Sequence, residues 1–455
     1  MRKQKSTNKH PQYKYASTRE KYCFGIGAIG KDAICNLVGS FLMLYFTDTL
    51  YLAPAFVGVL FLVARIWDAI NDPVMGMICD NTHTKFGKFR IWLVIGTLLN
   101  SVVFVLLFHS FHLSGTSLYI YVSVMYILYG MTYTIMDVPY WSWLPNLTND
   151  PHERESVSVI PRFFASLAGF SIGVFGLSMI NGMDKIFGNG DRTAGFRMVA
   201  LVISILFVFT ISVTIVNVKE KVTEKAAEHT SFKQIINILF KNKQLIAYIG
   251  LLLAYNLCMQ IVNGIIIYYF KYVAGKEGLF SIFSVCILAE MGGLVVFPKI
   301  VKKLGREKMF AMACTFPIIG LIIIAVAGFV APTNPLFVIL GAGILKLGSG
   351  FELGVVTVCI ADVIDYNELL FGTRNESIIC STQTFLMKAS QAVSGLLTGV
   401  GLAMVGYNAS LPQQSTATLN GIRIIMIVIP MVFAVISYLI YAKAYKLKGD
   451  YLNNM

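Results

Sequence analysis

Apolar runs recur along the whole chain, separated by short polar segments. About 20 apolar residues in a helix match the hydrocarbon thickness of a bilayer. In lipid, a helix satisfies its own backbone hydrogen bonds, whereas an isolated strand does not. We therefore predict an all-α integral membrane protein with about twelve transmembrane helices. These are expected near residues 23–47, 54–78, 91–111, 117–146, 159–182, 196–218, 244–271, 279–301, 309–331, 335–365, 378–406 and 421–443.

Composition supports this class of protein and suggests its division. Hydrophobic residues make up 56% of the 455 residues and charged residues 13%, which is too little polar surface for a soluble globule of this size. One long polar segment, beginning at Lys219, divides the spans six and six. The first polar residues precede a helix too long for a signal-peptide core, so no cleavage is expected. The predicted parts are a tail at 1–21, a six-helix bundle at 22–218, a loop at 219–243, a second six-helix bundle at 244–443 and a tail at 444–455.

The net charge of +13 is unevenly distributed among the connecting segments. Lysine and arginine concentrate in the N-terminal tail, in the loops at 85–90 and 302–308, and in the central loop, while the alternate loops carry few. Positive residues favour the cytoplasmic side. Both termini and the central loop are therefore predicted to be cytoplasmic. The basic charge reflects topology, with attraction to lipid head groups as a minor addition, so we expect no nucleic-acid partner.

Cysteine and histidine give no sign of a metal centre or a disulfide framework. The eight cysteines are scattered, mostly within spans and without a CxxC pair, and the six histidines have no metal-ligand spacing. We expect reduced thiols and no resident cofactor or metal, which excludes a metalloenzyme.

Short similar segments recur in the two halves of the chain. Span one ends with LYFTD and span seven with YYFKY, which gives a register shift of 224 residues. In that register Lys31 and Asp32 fall opposite Tyr255 and Asn256. Together with the six-plus-six count, this favours duplicated bundles with a substrate site between them near the midplane.

Asp68 and Asp72 lie within the apolar run FLVARIWDAINDPVMGMI. A charge at the bilayer centre costs about 2.5–3.5 kcal/mol on insertion scales, so it rarely persists without a partner or a function. Residues four apart on a helix share a face, and Asn71 lies beside them. Such oxygen ligands can hold a small hard cation or share a proton. The pair therefore indicates an ion-coupling site.

Span four carries a polar and aromatic stripe. Helical spacing places Tyr133, Thr134, Asp137, Tyr140 and Trp141 on one face. Thr134 can add a neutral oxygen to the carboxylates of span two. A carboxylate accepts neighbouring sugar hydroxyls, and an indole ring stacks on the C–H face of a sugar. Asp137 with Trp141 therefore favours carbohydrate binding.

Further intramembrane charges extend this candidate pocket. Asp32 and Asp137 provide acceptors, while Lys31 and Arg162 provide donors and partial charge balance. The alternative is that these charges form ion pairs that fix helix positions, as Arg65 is also placed to do.

Charged residues near the cytoplasmic ends suggest gating contacts. Arg154 lies in an inner loop and is interpreted as a topology or gating residue. Asp362, Asp365 and Arg374 lie at and beyond the end of span ten, and resemble the charged ERES segment after span four. Salt bridges between these loops and helix ends would lock an outward-open state; solvated loops are the alternative.

Four runs carry a family resemblance: GKDAICN, FLVARIWDAINDPVMG, LYGMTYTIMDVPYWS and PRFFASLAGF. They resemble the glycoside-pentoside-hexuronide:cation symporter family of the major facilitator superfamily, from span one to the C-terminal GDYL. The resemblance implies two six-helix bundles in a bacterial inner membrane. It also implies coupling of Na⁺, Li⁺ or H⁺ entry to uptake of a galactoside such as melibiose by alternating access.

The resemblance also assigns site residues. The family's cation site falls on Asp68, Asn71, Asp72 and Thr134, and its sugar site on Lys31, Asp32, Tyr133, Asp137, Trp141 and Arg162 in the first half and Gln383, Thr384 and Lys388 in the second. We expect ordered coupling, in which the cation neutralises the carboxylates, lets spans two and four close together, and positions Asp137 and Arg162 for the sugar.

The second half departs from the family pattern in span ten. The segment GFELGVV has Leu353 where a tryptophan is expected, and the acidic Glu352 precedes it. The identity of the transported sugar therefore stays open, with a glucuronide, a xyloside or another oligosaccharide as alternatives. Glu290 and Lys346 are extra charges at equal predicted depth in spans eight and ten. We predict that they form an interhelical ion pair.

Other classes of protein fit less well. A membrane enzyme is disfavoured because the carboxylates lie at mid-depth and no nucleophile, base or metal set lies near a helix end. A passive channel is disfavoured because no ring of repeated ligands occurs.

Overall fold

The computed structural model describes residues 16–148, 151–188, 192–220, 241–372, 376–411 and 413–447. Within these ranges the regular structure is helical and contains no strand. The α-helices are α1 Thr18–Leu44, α2 Pro54–Asp80, α3 Arg90–Leu107, α4 Gly115–Trp143, α5 Pro151–Phe187, α6 Arg192–Asn217, α7 Lys243–Tyr268, α8 Leu279–Val285, α9 Ile287–Leu304, α10 Arg306–Val330, α11 Pro335–Phe371, α12 Glu376–Met404, α13 Thr416–Arg423 and α14 Ile429–Lys443.

The predicted all-α membrane fold is confirmed. Eleven helical segments in the described ranges are long and apolar enough to cross a membrane. Four of these segments are composite: α1 and α7 each continue into a π-helical turn, α8 continues into α9, and α13 continues through a π-helical turn into α14. The remaining predicted span corresponds to α12, a helix of 29 residues that is not among those eleven.

Three helices that carry predicted site residues contain a proline beside them. In α2, Pro73 directly follows Asp72; in α4, Pro139 lies two residues after Asp137; and in α5, Pro161 directly precedes Arg162. Proline lacks an amide hydrogen, so one backbone carbonyl in the preceding turn loses its helical partner and the helix tends to bend there. The Asp72 and Asp137 carboxylates therefore lie near a missing backbone hydrogen bond in an otherwise continuous helix.

The chain divides into two compact units. The first comprises Met1–Asn36, Ile70–Gly169 and Arg197–Glu228, and the second comprises Leu37–Ala69, Phe170–Phe196 and His229–Met455. The predicted bundles at 22–218 and 244–443, with their tails and loop, stay a prediction.

In the first unit, α1 is fixed against α4 and α6. The Tyr140 hydroxyl donates to the Phe24 carbonyl at 2.6 Å, and the two rings stack with centroids 4.5 Å apart. From α6, the Thr214 hydroxyl donates to the Cys23 carbonyl at 2.8 Å. These buried bonds orient the half of α1 that carries Lys31.

The same unit fixes α4 against α3. The Asn100 side-chain amide donates to the Tyr129 carbonyl at 3.1 Å and to the Thr132 hydroxyl at 2.9 Å. A Cβ on Gly96 would lie 2.7 Å from the Met136 backbone nitrogen, so the two helices approach closely at this glycine. The polar stripe of α4 is thus held in place from both sides.

Local structure supports the internal repeat. π-helical turns occur at Tyr45–Thr49, after α1, and at Tyr269–Val273, after α7. Each turn closes with the same backbone hydrogen bond, of 3.0 Å, to the carbonyl of its first residue. Asp48 and Tyr272 occupy equivalent places and are separated by 224 residues, the register expected from the LYFTD and YYFKY segments.

A buried carboxylate in the second unit joins these two turns. The Asp48 side chain is 1% exposed and forms an ion pair with Lys271. It also accepts hydrogen bonds from the Tyr272 hydroxyl at 2.6 Å and from the Tyr407 hydroxyl, which follows α12, at 2.5 Å. One acidic side chain therefore connects the ends of α1, α7 and α12.

Replacing Asp48 with asparagine is expected to lower the unfolding temperature. The amide cannot balance the Lys271 charge, and removing one partner of a buried pair costs about 3 kcal/mol. The measurement is thermal unfolding of the purified protein in detergent. The control is Asp80→Asn, because Asp80 is 70% exposed in its pair with Lys88. Equal shifts for the two variants would show that the Asp48 contacts are not stabilising.

The predicted pair between spans eight and ten is confirmed. The Lys346 ammonium of α11 donates to the Glu290 carboxylate of α9 at 3.3 Å. A Cβ on Gly293 would lie 2.9 Å from the Leu347 carbonyl, so the helices approach closely beside this ion pair. Equal depth in a membrane restricts the choice of partners, which is why the sequence alone predicted it.

Reversing this pair gives a second prediction. Either Glu290→Lys or Lys346→Glu alone places two like charges together and should lower the yield of folded protein. The double reversal should restore that yield, as measured by size-exclusion chromatography of the membrane extract. If the double variant were no better than the worse single variant, the pair would not be a stabilising contact.

Candidate functional site

Lys31 forms the centre of a polar cluster in the first unit. Its buried ammonium donates to the Asp137 carboxylate at 2.7 Å and to the Tyr133 hydroxyl at 3.3 Å. The Asp32 carboxylate lies 3.3 Å from the same ammonium. The predicted residues Lys31, Asp32, Tyr133 and Asp137 are thus brought together by α1 and α4.

Aromatic rings surround the same ammonium. Lys31 Nζ lies 5.0 Å from the Trp141 ring centroid, 5.6 Å from that of Tyr140 and 5.7 Å from that of Tyr133. At these distances the ring faces attract a cation, which helps to retain the charge after desolvation. Trp141 therefore lies at the cluster, as its position on α4 predicts.

The cluster retains acceptor capacity. The Asp32–Lys31 contact is an ion pair without hydrogen-bond geometry, since Asp32 Oδ2 is buried and has no hydrogen-bond partner among the described residues. The side chains of Asp32 and Asp137 are 19% and 26% exposed. Two carboxylates share one ammonium here, so oxygens with free lone pairs are available to hydroxyl donors.

A second polar group of the first unit links α2 to α4. The Thr134 hydroxyl donates to the Asp72 carboxylate at 2.9 Å. Beside Asp72, the Asn71 side-chain nitrogen is buried and has no hydrogen-bond partner within the described ranges. Asn71, Asp72 and Thr134 thus supply an amide, a carboxylate and a hydroxyl group, respectively.

Asp68 lies one turn earlier on α2 and forms an ion pair with Arg65. Their closest atoms are 3.1 Å apart, at a spacing of three residues on the same helix. The Arg65 contact agrees with the alternative interpretation of that residue as an ion-pair partner. A cation bound at Asp68 would share this carboxylate with the guanidinium.

Among the described residues, no group of three histidine, cysteine, aspartate or glutamate side chains is placed to hold a metal ion. Oxygen atoms such as those of the α2 carboxylates are the ligands that hard cations prefer. The role of these carboxylates in binding a transported cation stays a prediction.

Other predicted sugar ligands lie apart from the Lys31 cluster or in the other unit. Arg162 is exposed on α5 and makes no hydrogen bond or ion pair with the cluster in the described part of the chain. On α12, in the second unit, Gln383 and Lys388 are half-buried and Thr384 is exposed. Their roles as sugar ligands stay predictions.

The proposed gating residues are partly described. Asp362 pairs with Arg306 at 2.7 Å, which joins α11 to the beginning of α10. Asp365 is exposed on α11. Arg374 and the side chain of Arg154 lie outside the described residues. The predicted contacts between the inner loops therefore stay untested, and the ion pair with Arg306 is a further contact at a helix end.

Sequence reasoning missed Asp48 and Arg306 as polar partners. The signal for Asp48 was present, since LYFTD and YYFKY ended the two related spans. What the sequence did not show was that these segments contact each other. Arg306 lies in the segment LGREK, whose basic residues predict only which side of the membrane the segment occupies.

The helical fold, with buried charges in its candidate membrane spans, is that of a multi-pass membrane protein. Residues 23–449 match the MFS/sugar transport protein family, and the chain belongs to this family. The family and the structural neighbours are transporters, so the chain is not an enzyme.

Individual relatives agree with this assignment. The chain is 30% identical over 416 residues to the isoprimeverose transporter of Lactiplantibacillus pentosus, covering 91% of this chain and 85% of the relative. It is 28% identical over 442 residues to an inner membrane symporter of Escherichia coli (strain K12), covering 95% and 92%. A solved bacterial homologue of the human lysosomal transporter Spinster has the same fold, with a TM-score of 0.69, 11% identity and coverage of 95% and 97%.

Proposed function

We propose that this transporter couples the entry of Na⁺, Li⁺ or H⁺ to the uptake of a galactoside such as melibiose. Its expected location is a bacterial inner membrane, with both termini in the cytoplasm. The observation that carries the proposal is the cluster in which Lys31, two carboxylates and Trp141 meet. The symporter relative of the inner membrane supports coupling and location.

The cluster has the groups that a sugar ring requires. Asp32 and Asp137 accept hydrogen bonds from neighbouring hydroxyls, and Lys31 orients both carboxylates through its ammonium. The Trp141 ring offers an apolar face for the sugar C–H groups. Arg162, Gln383, Thr384 and Lys388 are proposed as further ligands.

Coupling is proposed to pass along α4. A cation at Asp68, Asn71, Asp72 and Thr134 neutralises the carboxylates of α2. Thr134 donates to Asp72 and lies three residues before Asp137, so one helical turn connects the cation ligands with the sugar ligands. A coupling free energy of about 1–3 kcal/mol between such neighbouring sites is typical. The cation and the sugar would then bind cooperatively, and access would alternate between the two membrane sides.

A different glycoside is the second candidate. Leu353 occupies the place where the resembling family has a tryptophan, so an aromatic platform for part of the sugar is absent at this position. The isoprimeverose transporter is also similar over most of the chain. These observations favour testing isoprimeverose and glucuronides beside the galactosides.

Uptake into membrane vesicles tests the proposal. Radiolabelled α- and β-galactosides, isoprimeverose and a glucuronide are each supplied with a sodium, lithium or proton gradient alone. We expect one galactoside to accumulate unmodified under at least one cation gradient. Accumulation of another glycoside alone would establish the second candidate, and uptake that ignored every cation would contradict symport.

A further inference from the structure

Glu352 is an enclosed carboxyl group that the proposed sugar and cation sites do not use. It lies in the middle of α11 and is 4% exposed. Its Oε1 atom is buried and has no hydrogen-bond partner among the described residues. No ion pair or hydrogen bond is formed by this side chain in that part of the chain. A carboxyl group in this position needs a physical explanation.

Among the described residues, the titratable groups that interact electrostatically with Glu352 do not include a cation. Its electrostatic neighbours are Tyr255 and Cys258 on α7, Cys314 on α10, Glu290 on α9 and Cys359 on α11. Tyr255 is buried and already donates its hydroxyl hydrogen to the Ala313 carbonyl, at 3.4 Å. Lys346 is paired with Glu290. Within the described ranges, Glu352 therefore has no cationic partner of its own.

Such surroundings favour the neutral acid. Moving a carboxylate from water into a protein interior costs several kcal/mol unless a cation or several donors compensate. The acidic Glu290 opposes ionisation further, although Lys346 partly offsets it. A protonated carboxyl group avoids both costs and needs no cationic partner.

We propose that Glu352 is a proton-binding site in the second unit, separate from the carboxylates of α2. Its carboxylate takes a proton from water to give the carboxylic acid, and no other bond forms or breaks. The acid is held while α7, α10 and α11 enclose it, and the proton is returned to water when these helices separate. This site would bind a proton whichever cation the α2 carboxylates accept.

Infrared spectroscopy tests the proposal without sugar or transport. The full chain is placed in lipid vesicles near neutral pH, and spectra are compared in water and heavy water. A protonated carboxyl group has a carbonyl band that is separate from the carboxylate bands and shifts on deuteration. We expect this band in the wild-type protein and its loss in Glu352→Gln. Glu352→Asp should retain a band at a different position.

Two further variants assign the band. Glu368→Gln removes an exposed carboxyl group from the same helix and should leave the band intact. Asp72→Cys should also leave it intact, which separates this proton site from the proposed cation site. A wild-type spectrum without the band, or a band that survives in Glu352→Gln, would overturn the proposal. If Glu352→Gln does not fold, an unshifted band in Glu352→Asp overturns it equally.

Discussion

Replacing Asp72 with cysteine is expected to abolish the stimulation of sugar uptake by the coupling cation. Asp72 accepts a hydrogen bond from the Thr134 hydroxyl at 2.9 Å and supplies the carboxylate through which α2 contacts α4, the helix that carries the proposed sugar ligands. A neutral thiol removes the charge that retains the cation, and with it a coupling of about 1–3 kcal/mol, or about 5–150-fold in affinity. The measurement is the ratio of uptake with and without the cation in vesicles, which should fall to about one.

Asp80→Cys is the matched control for this experiment. Asp80 ends the same helix and is 70% exposed, so its loss should leave the ratio at the wild-type value. The amount of each variant in the membrane is measured by immunoblot. If Asp72→Cys kept the wild-type cation stimulation, the Asp72 carboxylate would have no role in coupling.

Replacing Asp137 with asparagine is expected to weaken sugar binding strongly. Asp137 is the nearest partner of the Lys31 ammonium, at 2.7 Å, and retains partial exposure for a ligand. Hydrogen bonds to charged groups contribute about 1.5–3 kcal/mol, so loss of one acceptor should weaken binding about tenfold or more. Isothermal titration of the purified protein with the transported glycoside measures this loss.

A second variant separates sugar recognition from folding. In Asp137→Asn, Asp32 still balances the Lys31 charge at 3.3 Å, so thermal stability should fall only modestly. Lys31→Met leaves both carboxylates without their ammonium and is expected to lower the unfolding temperature further. Equal losses of stability in the two variants would mean that Asp137 acts as a structural partner of Lys31.

The sequence predicted the helices and the grouping of Lys31, Asp32 and Asp137, because lipid imposes strict conditions on both. An apolar run of sufficient length must be helical, and a buried charge needs a partner or a function. The same condition explains the confirmed Glu290–Lys346 pair, since two opposite charges at equal depth have few other partners. Local helical spacing also placed Thr134 and Asp137 on one face of α4.

Tertiary contacts set the limits of this prediction. Lys31 and Asp137 are 106 residues apart, and the sequence did not show that three aromatic rings surround their contact. Asp48 looked like the polar end of a span, yet it is enclosed by groups more than 220 residues away. The partners of Asp48 depend on how the repeated spans pack together. The spacing of residues within one helix does not predict that packing.

The most direct test of symport is cation entry driven by a sugar gradient. Vesicles without a cation gradient are given an inward gradient of the glycoside that the protein transports, and the entry of radioactive sodium, or of protons by external alkalinisation, is measured. Symport predicts cation entry that requires the sugar and disappears in Asp72→Cys. Sugar entry at the wild-type rate without any accompanying cation would contradict it.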